Sequence, residues 1–261
     1  MVAKRVLITG TTSGIGLALL AHYDSAGVAV IAVNRRRVAE LELRYPRVRF
    51  ECVDVTFAEN VSGLVRSLSE SGALPDVFIL NAGINRKDND EFFELSSYRE
   101  VVETNLYGAL NFIQPLTQLS SDGTERHVVA ISSMAVYGGN PYGLGYTTSK
   151  QALSTSFDVL SKMYAGTDLV FQQVLMGPVG TAIYTMESQL PRWMARVKNA
   201  FSASPEGTAH AIAGFALTRK GKLIYPRAAL PLFIAMGLGQ RFIPGFYQGR
   251  RTLNGKARRV A

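Results

Sequence analysis

The sequence predicts an α/β fold: a doubly wound parallel sheet in a single domain, followed by a C-terminal extension that is first apolar and then basic. Three observations carry the prediction. Short β-branched runs such as Val6-Leu7-Ile8 and Val77-Phe78-Ile79-Leu80 alternate with stretches of helical period. The runs are apolar almost without a break, as strands covered on both faces are. Right-handed crossovers between such strands place a ligand crevice at their carboxyl ends, where this chain carries glycine turns. At 261 residues, 47% apolar and 18% charged, the chain is expected to bury roughly 70–75% of its unfolded surface. These numbers exclude a disordered tail and a disulfide-stapled mini-protein.

The first strand ends at Thr9-Gly10, and a helical pattern runs from Gly14 through Ile15, Leu17, Ala18, Leu20 and Ala21. A second strand, 28–33, precedes Arg35-Arg36-Arg37 and a helix-like stretch to Tyr45; a third, 48–53, leads to Asp54-Val55. The helix after Phe57 carries Val61, Leu64, Val65 and Leu68 and stops near Gly72, and a fourth strand, 77–80, ends at Asn81-Ala82-Gly83. From Tyr98 onward Val101, Val102, Leu106, Ala109, Leu110 and Phe112 mark a helix. Pro115 is a kink in it and not its end, because Leu116 and Leu119 continue the stripe. Strand 127–132, helix 146–164, strand 169–175, helix 205–217 and a short strand 222–225 complete the alternation. Residues 1–227 therefore form the expected domain, with a lid at about 182–204, and 228–261 the extension.

Charge is distributed unevenly. No Asp or Glu follows Glu206, so the first 206 residues carry a net −2 and the last 55 carry +10. A main body without basic excess argues against nucleic acid as a partner. A single cysteine, Cys52, cannot form an internal disulfide, and the apolar run before Gly10 is too short for a signal segment, so the cytoplasm is the expected compartment. No metal site is expected.

The stretch Thr9-Gly10-Thr11-Thr12-Ser13-Gly14-Ile15-Gly16 lies where a strand becomes a helix. Free backbone N–H groups and the positive helix end can there meet a pyrophosphate, and glycine allows the close approach. Gly10, Thr12, Ser13, Gly14, Ile15 and Gly16 are the candidate contacts; a strand-helix turn without a ligand is the alternative for this motif alone. The end of the second strand reads Val33-Asn34-Arg35-Arg36. An NAD site wants a carboxylate here for the ribose hydroxyls, whereas an NADP site wants positive charge for the 2′-phosphate. Asn34 repels nothing and Arg35 is the leading phosphate contact, which favours NADP(H) over NAD(H). The competing reading makes these arginines a solvated helix start, where they would oppose the helix dipole.

Tyr146 and Lys150 are spaced i, i+4 at a helix start and project from one face. An ammonium beside a phenol stabilises the phenolate and brings its proton into reach near neutral pH. Such pairs are common on surfaces. Position distinguishes this one, because Ser132-Ser133 ends the preceding strand and the loop Tyr137-Gly138-Gly139-Asn140-Pro141 turns the chain back towards Tyr146.

From about Val2 to Thr181 the sequence resembles the short-chain dehydrogenase/reductase family. The family's TGxxxGIG stands as Thr9 to Gly16, its adenine-side acid as Asp54, followed by Val55, and its NAG turn as Asn81, Ala82 and Gly83. The helix asparagine corresponds to Asn105, the serine to Ser133, and YxxxK runs from Tyr146 to Lys150. The resemblance implies a Rossmann-type fold, a nicotinamide cofactor, a small-molecule carbonyl or alcohol substrate, and a homodimer or homotetramer. It further implies that Tyr146 donates a proton to the carbonyl oxygen, that Ser133 hydrogen-bonds the same oxygen, and that Lys150 binds the nicotinamide ribose and lowers the tyrosine pKa. Asn105 would hold a water linking the lysine to solvent, and Val179 and Thr181 would line the nicotinamide amide.

One departure stands out: Met176 replaces the proline that usually precedes the glycine after the sixth strand. A wider or more apolar pocket is one consequence, a neutral change in loop packing the other. After Thr181 the residues Ile183, Tyr184, Met186, Leu190, Trp193, Met194 and Val197 are spaced like an amphipathic lid, or like a helix packed on the body or on another subunit. The apolar run 228–239 is too short to cross a bilayer, which needs roughly 20 residues. It reads as a peripheral membrane contact on the cytoplasmic face, a lid over the site, or a subunit contact. The combined reading is an NADPH-dependent oxidoreductase that reduces a carbonyl or oxidises a secondary alcohol on a substrate with an apolar, lipid-like portion. Two alternatives stay open, a reductase of a polar or sugar-type intermediate and an NADPH-sensing regulator without turnover.

Overall fold

The computed structural model describes residues 5–86, 93–119, 122–138, 143–180 and 201–242, together with the backbone of 252–253 and 256–257. Seven parallel strands form one sheet in the order β3-β2-β1-β4-β5-β6-β7. They are β1 (Arg5–Thr9), β2 (Ala29–Asn34), β3 (Arg49–Cys52), β4 (Val77–Leu80), β5 (Arg126–Ser133), β6 (Leu169–Met176) and β7 (Lys222–Tyr225). The chain builds outward from β1 to β3, then returns past β1 and builds the other way from β4. The direction of winding therefore reverses between β1 and β4, and the carboxyl ends of these two strands open the crevice.

Alternate strand residues feed two cores, which explains why the strands read as unbroken apolar runs. Val6 and Ile8 of β1 pack with Val30, Ile79 and Val174 beneath α1 (Gly14–Ser25) and α7 (Pro205–Ala216). Leu7 points to the opposite core with Phe78, Val128 and Phe171, under α3 (Ala58–Glu70), α5 (Gly108–Gln118) and α6 (Leu144–Met163). The helix α3 is amphipathic at the expected positions: Val61, Leu64, Val65 and Leu68 are its buried stripe. Between β2 and β3 the helical stretch is the short α2 (Ala39–Arg44). The buried His127, Gln172 and Gln173 of β5 and β6 find polar partners, whereas the Nε of Arg126 at the start of β5 is buried without one among the described residues. His127 meets Gln172 Oε1 at 3.0 Å and Glu125 at 2.9 Å, and Gln173 accepts from Ser154 at 2.6 Å.

Two features depart from the periodicity. The helix expected from Tyr98 is divided into α4 (Leu95–Val102) and α5 by a π turn, Glu103–Tyr107, while Pro115 is carried inside α5 without ending it. The apolar run after 227 continues the domain: a 3₁₀ turn, Arg227–Ala229, leads into α8 (Leu230–Phe242), and Ala229 is fully buried with Met134 and Leu175. Gly237 of α8 approaches the loop after β5 so closely that a Cβ there would overlap the Tyr137 carbonyl, and Gly138 faces Gly237 in the same way.

Candidate active site

The turn after β1 is held from three sides. Gly10 has φ +71°, a conformation in which side chains are strained, and its N–H donates to the Val33 carbonyl at 2.8 Å. A Cβ on Gly16 would lie 2.0 Å from the Gly10 carbonyl oxygen, so only glycine lets α1 start this close to the turn. The Asn81 side chain donates to the carbonyls of Thr9 and Gly10 at 3.0 and 3.1 Å, and the Asn81 and Ala82 amides both donate to the Thr9 hydroxyl at 2.9 Å. The β4 end thus fastens the β1 end across the point where the sheet's winding reverses. Helix α1 begins with no side-chain cap from Ser13 and no acid in its first turn, so its positive end faces the crevice uncompensated.

Asn34 is buried and committed to this turn. Its Oδ1 accepts the Thr11 N–H at 2.8 Å, and its Nδ2 donates to the Thr11 hydroxyl at 2.9 Å. The side chain that stands where an NAD site would carry its carboxylate therefore braces the glycine turn. Arg35, next in sequence, is exposed; its carbonyl accepts from the Cys52 thiol at 3.6 Å, but its guanidinium has no hydrogen bond or ion pair among the described residues, whereas Arg37 is tied to Glu42 at 2.6 Å. Arg35 acts at longer range on Glu100, whose carboxyl the hydrogen-bonded Arg86 holds below its ordinary value. Asp54 accepts the Thr56 amide and hydroxyl at 3.0 and 2.8 Å, a local turn that fixes Val55 against Gly108; a Cβ on Gly108 would come within 2.7 Å of Val55.

A cavity of about 320 Å³ runs from Gly10, Thr12, Ser13, Gly14 and Ile15 past Asn81 and Gly83 to Tyr146 and Lys150. Its other wall is Ile131, Ser132, Met176, Gly177 and Val179. The glycine turn and the Tyr-Lys pair, separated by more than 130 residues in the chain, therefore share one space. A helix end without a cap, a turn free of side-chain bulk and a buried cation in one cavity fit a dinucleotide laid across it.

Lys150 is buried on α6, its Nζ 5.9 Å from the Tyr146 ring centre, and it donates to the Ile131 carbonyl at 2.7 Å. Burial pushes its pKa from the ordinary 10.5 down to about 8. Tyr146 is buried down to 9% exposure yet lines the cavity. Asn105, delivered by the π turn, accepts the Ile84 N–H at 2.7 Å and donates to the Ile84 carbonyl at 2.9 Å and to Ser149 at 3.1 Å. Ser149 in turn donates to the Tyr146 carbonyl at 2.9 Å. This clasp ties the segment after Gly83 to the first turns of α6. The Ser133 hydroxyl accepts the Ala135 N–H at 3.1 Å, capping the 3₁₀ turn Met134–Val136.

Sequence reasoning placed Ser132 only as a strand end, without a role, and did not single out Ile131 or Ser149. Ser132 lines the cavity and donates to the Lys150 carbonyl at 3.0 Å; Ile131 serves through its backbone, which carries no sequence signature. Met176 does reach the cavity wall, and Gly177 beside it is wedged between Pro226 and the Met134 thioether. Thr181, the lid residues from Ile183 to Val197 and the loop segment Gly139 to Pro141 lie outside the described residues. The base of that lid is described: Gly180 donates to the Ala203 carbonyl at 3.2 Å and Ala203 to the Pro178 carbonyl at 3.0 Å, so the chain leaves and returns at one point beside Val179.

Known proteins resemble the chain in sequence and in fold. The chain is 27% identical over 182 residues to an uncharacterized oxidoreductase of Staphylococcus haemolyticus, covering 67% of this chain and 78% of the relative. Among solved structures it superposes on 4-hydroxyisoleucine dehydrogenase complexed with NADH at a TM-score of 0.74 and 18% identity, covering 85% of this chain and 96% of the other. It superposes on the NADP complex of Pseudomonas aeruginosa RhlG at a TM-score of 0.72 and 22% identity, covering 86% and 94%. At these identities the superpositions show the fold. The model of the short chain dehydrogenase family matches residues 4–191, which contain the glycine turn, the Asn81 brace and the Tyr146–Lys150 pair, and the chain is therefore an oxidoreductase belonging to that family.

Proposed function

We propose that this chain is an NADPH-dependent reductase of ketones, run in reverse as a secondary-alcohol dehydrogenase. The observation that carries the reading is the single cavity shared by the glycine turn, Tyr146 and Lys150. The glycine turn and the α1 end hold the pyrophosphate, Asp54 and Val55 the adenine side, and Asn81, Ala82, Gly83, Val179 and Thr181 the remaining contacts. Arg35 takes the 2′-phosphate: it is exposed and uncommitted, and no carboxylate at the end of β2 opposes it. When bound, the reduced nicotinamide supplies hydride.

The protein's own groups handle the proton. Tyr146 donates its phenol proton to the carbonyl oxygen, and the Lys150 ammonium nearby lowers the free energy of the phenolate left behind. Ser133 already accepts the Ala135 N–H, so its own O–H is the group left to donate to the substrate oxygen. Asn105 positions Gly83 and α6 through Ile84 and Ser149, and a water held by Asn105 would link Lys150 to solvent. Met176 on the cavity wall favours an apolar substituent on the substrate.

Paired fluorescence titrations with NADPH and NADH, followed by turnover on aliphatic, aromatic and polyhydroxylated ketones, test the reading. Tighter NADPH binding and turnover of an apolar ketone are the expected outcome. Tighter NADH binding overturns the cofactor assignment, and cofactor binding without turnover on any ketone overturns the catalytic one.

A further inference from the structure

From Leu230 to Gly239 helix α8 is apolar on every side. Its inner face seats on the body: Phe233 joins Met134, Leu175 and Ala229, and Gly237 meets the backbone of Tyr137 and Gly138. Its outer face carries Ile234, Leu238 and Phe242 at i, i+4 and i+8, exposed by 43, 53 and 70%. Pro231, Ala235 and Arg241 complete that face, and Arg241 at its C-terminal end is the single charge on it. A helix without a polar face lies buried in proteins, so the outer stripe of α8 calls for a cover.

The surrounding charge indicates which cover. Arg227 precedes the helix, Arg241 ends it, and Arg250, Arg251, Lys256, Arg258 and Arg259 follow in sequence, with no acid anywhere after Glu206. The exposed stripe on α6, Val159 and Met163, differs: Asp158 and Lys162 adjoin it, and charges of both signs suit contact with protein or water. An apolar stripe with charges of one sign only matches a layer of anionic headgroups over hydrocarbon. Among the described residues no helix is long and apolar enough to cross a membrane, so α8 would lie along the surface.

We infer that the outer face of α8 docks peripherally on an anionic lipid surface, with Ile234, Leu238 and Phe242 inserted and the exposed Arg227 and Arg241 at the two ends of the helix on the headgroups. Docking is independent of the cofactor and the ketone proposed above.

The test is flotation of the full chain with vesicles of phosphatidylcholine alone and of equal parts phosphatidylcholine and phosphatidylglycerol, at low and high salt. The expected result is flotation on the anionic vesicles only, weakened by salt. The I234S/L238S/F242S variant should lower the bound fraction about tenfold, with NADPH titration and thermal unfolding unchanged from wild type. Wild-type protein that fails to float on anionic vesicles at low salt overturns the inference. So does equal flotation on neutral vesicles, or full flotation of a folded triple variant. A concentration-dependent dimer that the triple variant abolishes, without flotation, would give the stripe to a second copy of the chain and also overturn it.

Discussion

The glycine turn after β1 and helix α8 use the same residue type to different ends. At the turn, glycine allows backbone to approach backbone, and polar groups from three strands then meet: Asn81 on Thr9 and Gly10, Asn34 on Thr11, Gly10 on Val33. At α8, Gly237 and Gly138 also bring two backbones together, but the outward side of the same helix is left to Ile234, Leu238 and Phe242. The first region is fixed from within by its own hydrogen bonds. The second has half its contacts made and half waiting for a partner. Substitutions should therefore be costly in the turn and cheap on the helix face.

Gly16→Ala should show the largest loss, because the new Cβ would lie 2.0 Å from the Gly10 carbonyl and neither backbone has room to move. Thermal unfolding should record a loss of about 3 kcal/mol, and NADPH titration should find no binding. Unchanged stability would mean that the turn is looser than its hydrogen bonds indicate. Arg35→Ala removes one charge-assisted contact, so NADPH affinity should fall by about 10- to 100-fold while NADH affinity stays level. An equal loss for both cofactors would assign Arg35 to structure and not to the phosphate.

Lys150 sharpens the comparison from the energetic side. Its ammonium is disfavoured by burial, so the folded state carries a penalty that is full below pH about 8 and fades as pH rises towards 10.5. Lys150→Met should therefore abolish turnover yet raise stability near neutral pH by about 1–3 kcal/mol, measured by denaturant unfolding. In the wild type the catalytic ammonium is lost as pH rises through about 8, so kcat/KM should fall above that pH. A profile flat to pH 10 would contradict the assignment. The smallest effect belongs to α8: I234S/L238S/F242S should change stability by no more than about 0.5 kcal/mol in the absence of lipid.

Because both sheet faces are covered, β1, β2 and β4 announced themselves as apolar runs, while β3, with Arg49 and Glu51, and β6, with Gln172 and Gln173, carry polar residues within them. The cavity was legible through Gly10, Gly14, Gly16, Tyr146 and Lys150, residues whose spacing is set by chemistry and not by packing alone. The π turn at Glu103–Tyr107 left no trace, since its side chains keep nearly the helical stripe while the backbone shifts by one residue. Asn34 could be read as a missing carboxylate but not as the brace on Thr11, because a buried amide reveals its partner only once β1 and β2 are aligned. The seating of α8 was hidden for a related reason: an apolar run looks the same whether one face or both are buried, and only the close approach of Gly138 to Gly237 separates the two.

The most direct test of the account is Tyr146→Phe, which removes one oxygen from the cavity and leaves the turn, Arg35 and Lys150 in place. With a ketone that the wild type reduces, the variant should lose turnover by about a thousandfold while NADPH affinity stays within about twofold. A variant that retains more than a few percent of wild-type turnover, or that loses NADPH binding along with it, would contradict the assignment of Tyr146 as the proton donor.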